Sequence, residues 1–93
     1  MKTYQTEVCQ TIANYYGDDS QLYMAIEEMS ELTKEICKYK RMPSNYDKLA
    51  DEIADVKIMI EQLEYIFGVS NEVEKRINYK LDRQLRRIDQ ERE

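Results

Sequence analysis

Apolar residues recur every third or fourth position along three stretches of the chain, a helical period. One stripe runs through Leu22, Ile26, Met29, Leu32 (with Thr33) and Ile36. A second follows Leu49, Ile53, Val56, Ile60, Leu63 and Phe67, and a thinner third takes Val73, Ile77, Leu81, Leu85 and Ile88. Each stripe is expected to face a core. No alternating pattern competes, so the fold class is all-α. The breaks fall where a bundle needs them. The segment Gly17-Asp18-Asp19-Ser20 divides a first helix, about 3–16, from a second, about 19–41. Met42-Pro43-Ser44-Asn45 is a turn, with Ser44 or Asn45 as N-cap of the third helix. Gly68 suits the residue after that helix, and Ser70 is the expected cap of a fourth that runs to about residue 90, with Gln90 to Glu93 frayed.

Composition narrows what such a bundle can be. The 93 residues form one domain, 1–93, near the lower limit for closing a core alone. Pairing with further copies to complete the bundle is therefore expected. The net charge of −5 argues against nucleic acid as the main partner. Even in the basic stretch 71–93, seven basic side chains meet six acidic ones. With no histidine, and with Cys9 and Cys37 far apart, neither a zinc site nor His-dependent nucleophilic catalysis is available. The two cysteines read as buried or half-buried thiols. No apolar run spans a membrane, and the expected location is the cytoplasm.

The acids carry more information than their sum. Glu28, Glu31 and Glu35 each precede a residue of the second-helix stripe, and Glu52 and Asp55 precede Ile53 and Val56. One residue is about 100° of helical rotation, so both acid rows flank their apolar rows in the same sense. In an antiparallel hairpin such rows are mirror-related: they converge or turn away together. Counted from Pro43, the two sets differ in height by only about 5 Å. Four carboxylates, Glu28, Glu31, Glu52 and Asp55, can thus share one level. Left bare they repel; all-oxygen ligands favour Mg²⁺, or Mn²⁺. Ordinary solvent-facing glutamates are the competing explanation.

Helix four bears a basic row, Arg76, Lys80, Arg83 and Arg87, with the same one-residue offset from its apolar stripe. Such a ridge can hold phosphate, or simply lie in water along the stripe. Tyr4, Tyr15, Tyr16 and Tyr23 can stack on a base or sit at the core edge or a subunit interface, and Gln21 and Asn78 are candidates to read a base or sugar edge.

The residues Glu27-Glu28-Met29-Ser30-Glu31, a twenty-residue spacer and Glu52-Ile53-Ala54-Asp55 resemble the EExxE…ExxD signature of the MazG-like all-α nucleoside triphosphate pyrophosphohydrolases. The likeness covers about two thirds of the chain and weakens in helix one. It implies an antiparallel four-helix protomer completed by homo-oligomerisation, as a homodimer or homotetramer. It implies Mg²⁺ on Glu28, Glu31, Glu52 and Asp55, with Glu27 and Glu35 accessory. It further implies hydrolysis of an NTP or dNTP to the monophosphate and pyrophosphate, with Glu31 or Glu35 as general base. "KLDRQLRRI" resembles the family's last helix, making Lys80 and Arg83 the expected phosphate contacts. Phosphoribosyl-ATP hydrolysis and a catalytically silent helical interaction module are the alternatives.

Overall fold

The computed structural model describes residues 1–92, and these form four helices and no strand. They are α1 (Thr3–Tyr16), α2 (Asp18–Arg41), α3 (Tyr46–Phe67) and α4 (Ser70–Arg92). Gly17 alone separates α1 from α2, at φ 92°, a conformation costly for any residue with a Cβ. Asp18 and Asp19 therefore belong to the first turn of α2, where their charge suits the positive end of the helix dipole. Gly68 ends α3 in the left-handed region (φ 65°, ψ 36°), and the Val69 N–H donates to the Glu64 carbonyl. Ser70 is the first helical residue of α4, not its cap, because the Val69 carbonyl already accepts from Val73. Gln90–Arg92 are helical where fraying was expected; Glu93 lies outside the described residues.

The α2–α3 hairpin is the main packed unit, and α1 lies against both of its helices. Its seam takes in only part of the apolar stripes: Val56 is buried, and Leu22, Leu32, Leu49 and Leu63 are half-buried. Gln21, Ala25 and Glu35 of α2 are buried, with Glu28 and Leu32 half-buried, while Ile26, Met29 and Ile36 are exposed. On α3, Val56, Met59 and Gln62 are buried and Glu52 half-buried, while Ile53, Ile60 and Phe67 are exposed. Small Ala25 permits close approach, and the two buried glutamines satisfy each other. Gln21 Nε2 donates to Gln62 Oε1 at 2.7 Å inside the seam.

The two apolar stripes lie roughly a quarter-turn from the seam, in the same rotational sense. On antiparallel helices this points both to one side of the hairpin. Helix α1 occupies the other side, where Asn14 accepts from Tyr65 and Ala54 and Ile58 line its groove. Among the described residues α4 packs only against α3 and buries none of its own residues. The radius of gyration, 16.3 Å, exceeds the roughly 12 Å of a compact domain of this length. The single chain is therefore a three-helix unit with a projecting fourth helix, not a closed four-helix bundle.

Candidate metal centre

Glu28 lies on the seam face of α2, one turn beyond Ala25; Glu52 and Asp55 stand one turn apart on α3. Carboxylate oxygens of Glu28, Glu52 and Asp55 lie within 4.8 Å of one another. Of the two options the sequence leaves, convergence is the one taken. Glu28 and Glu52 are half-buried and Asp55 is exposed, so the group is dry at its back and open at its front.

Three acids so close disturb one another. Glu28 is held above its ordinary value, first by loss of solvent, then by the Asp55 charge and a shared hydrogen bond with Asp55, and further by Glu52 and Glu27. Glu52 Oε2 is buried without a hydrogen-bond partner. A buried, unpartnered oxygen on a residue whose carboxylate lies close to two others is an arrangement a hard cation could relieve, and the donor set is all oxygen. The three carboxylates could hold a divalent metal ion.

The remaining expected site residues fall in different places. Glu31 is half-buried and not among the converging three. Glu35 is almost wholly buried, at 1% exposure. Its Oε2 accepts from Asn45 Nδ2 and its Oε1 sits 3.6 Å from Lys38 Nζ. Asn45 occupies the N-cap position of α3 but turns its side chain to Glu35, not to its own helix. Glu35 thereby ties the α2–α3 turn to α2. Gln21 is consumed by Gln62 and is not free to read a base. Lys80 is exposed on α4, and Arg83 lies over the Tyr79 ring at 5.8 Å. Neither forms an ion pair with Glu28, Glu52 or Asp55 among the described residues.

Tyr15, Tyr16 and Tyr23 are exposed, the first two edge to face. Tyr4 lines an open apolar groove of about 400 Å³ between α1 and α3, together with Val8, Ile12 and Ile58. Ala54, next to Asp55 in the chain, lines the same groove. No residue pattern pointed to it, because it draws single residues from two helices distant in sequence. Cys9 is buried, and burial and the Glu61 carboxylate push its thiol up. Cys37 is exposed, not buried or half-buried as expected, and both are free. No helix among the described residues is long and apolar enough to cross a membrane.

In comparisons with known proteins, the chain matches no family model, no curated protein and no solved structure.

Proposed function

We propose that the chain is a divalent-metal-dependent nucleoside triphosphate pyrophosphohydrolase that acts as a homo-oligomer. One observation carries this reading: Glu28 from α2 converges with Glu52 and Asp55 from α3 to within 4.8 Å, leaving a buried carboxylate oxygen unpaired. The resemblance of the EExxE…ExxD pattern to MazG-like enzymes supports the same assignment.

Glu28, Glu52 and Asp55 would hold Mg²⁺, with Glu31, one turn along α2 from Glu28, completing the set or accepting a proton. When bound, the ion offsets phosphate charge and acidifies water. Glu31 is the better candidate for general base, because Glu35 is already engaged by Asn45 and Lys38. The groove beside Asp55 is a candidate seat for the base, with Tyr4 on its wall. Lys80 and Arg83 would meet the leaving pyrophosphate in the assembled oligomer.

Incubation with Mg²⁺ and pooled deoxynucleoside triphosphates tests the proposal. The expected products are nucleoside monophosphate and pyrophosphate, lost on chelation and reduced at least about a hundredfold in Glu52→Gln. No pyrophosphate above the Glu52→Gln background would leave a silent helical module. Turnover of phosphoribosyl-ATP in preference to the pool would move the substrate, not the reaction class.

A further inference from the structure

The carboxylate rows of the hairpin end differently in their two directions. On α3, Lys48, Glu52 and Asp55 follow one another at spacings of four and three, within about 60° around the helix. They form one row, with its cation toward the α2–α3 turn. On α2, Lys34 stands one turn past Glu31 in the same direction. The register set by Gln21–Gln62 and Glu35–Asn45 brings Lys34 level with Lys48 on the opposite helix. Away from the turn the same rows continue through Ala25 and Gln21 on α2 and Met59 and Gln62 on α3, and none of these carries charge. Along the rows, then, cations stand beyond the carboxylate cluster on the turn side only, Lys48 about 6 Å along the axis from Glu52.

Lys48 is also uncommitted. A lysine and a glutamate four residues apart on a helix are placed to pair. Yet Glu52 Oε2 has no partner, and among the described residues Lys48 joins no ion pair. Lys34 and Lys48 are both exposed. An ammonium one turn from the carboxylate cluster, and not neutralising it, is available to an anion that the cluster holds through a metal ion. Resting on the proposed function, we infer that the turn end of the hairpin seats the terminal phosphates of the substrate, with Lys48 as their direct contact and Lys34 as a flanking charge. The nucleotide then lies along the hairpin with its phosphate tail toward the turn. Charge complementarity puts the β- and γ-phosphates on the cationic side. The apolar groove runs the other way: Ala54 is level with the cluster, and Ile58 and Ile12 carry the groove away from the turn. Lys57 is the cationic side chain on the groove wall, and it lies about 140° around α3 from Glu52, off the row.

Calorimetric titration of the protein in Mg²⁺ with inorganic pyrophosphate, and separately with a deoxynucleoside monophosphate, reads this seat without requiring turnover. The wild type is expected to bind both. Lys48→Met is expected to weaken pyrophosphate binding about tenfold and Lys34→Met by less, each leaving monophosphate binding within about twofold. Lys48→Arg is expected to recover most of the loss. Because Lys48 is exposed near the start of α3, its replacement is expected to leave the helical circular dichroism unchanged. An unchanged pyrophosphate affinity in Lys48→Met overturns the inference, as does a wild type that binds no pyrophosphate. So does a loss confined to the monophosphate, or one found in Lys57→Met instead, since either reverses the nucleotide on the hairpin. The outcomes separate this seat from the reading it rests on. A chain that releases pyrophosphate from deoxynucleoside triphosphates but fails these titrations keeps its function and loses the seat. A chain that binds pyrophosphate through Lys48 without turnover keeps the seat and is no hydrolase.

Discussion

Glu28 is where side-chain environment bears most directly on the proposed metal site. Its carboxyl is pushed up in the folded chain by desolvation and then by Asp55, Glu52 and Glu27, while the unfolded chain keeps the ordinary value. Between those two values the native state binds more protons, so stability of the metal-free protein rises as pH falls through the raised value. The gain is complete below the ordinary value. Above both, the charged group is a liability that a divalent cation removes. Thermal melts should therefore show a larger Mg²⁺ increment at pH 8 than at pH 5. Glu28→Gln should raise the metal-free melting temperature at neutral pH and abolish the increment; an unchanged increment would show that the ion binds elsewhere. Glu31 and Glu35 should part company in the same way. Glu35→Ala strands the Asn45 amide and the Lys38 ammonium, and urea titration should show a loss of about 1–3 kcal/mol. Glu31→Gln should leave stability within about 0.5 kcal/mol and lower kcat instead.

The α2–α3 hairpin owes its register to polar pairs more than to apolar ones. Gln21–Gln62 near one end and Glu35–Asn45 near the other bracket the carboxylate cluster, so a slip of either helix would unpair buried amides. This is why Glu28 meets Glu52 and Asp55. A double-mutant cycle should expose the pairing. Gln21→Leu and Gln62→Leu are each expected to cost about 1–3 kcal/mol, and the double variant much less than their sum. Additive losses would mean that the amides do not act as a pair.

For the whole molecule, the separation of α4 from α2 has a kinetic consequence. Among the described residues Lys80 and Arg83 form no ion pair with Glu28, Glu52 or Asp55, so under the proposed function their contribution to turnover would come through assembly. Lys80→Ala/Arg83→Ala is expected to raise KM for the nucleotide about tenfold while leaving the Mg²⁺ melting increment of the residue-level experiment intact. A KM unchanged in the double variant would remove the basic helix from the proposed site.

Helix number, helix ends to within two residues and the level of the acid rows were legible in the sequence, because period, glycine position and rise per residue are local properties. Gly68 in the left-handed conformation and the shared level of Glu28, Glu52 and Asp55 follow from them. Local rules also limited the acids to two dispositions, converging or diverging. Only the tertiary structure chose between them, and it also decided which quarter of each helix forms the seam. The apolar stripes looked like the natural interior, yet Ala25 and the glutamine pair hold that position in the single chain. A hydrophobic face must be covered, but its sequence does not state by which chain. That depends on which surfaces can be brought together at once, and α4, which packs only against α3 among the described residues, leaves the broad face of the hairpin uncovered.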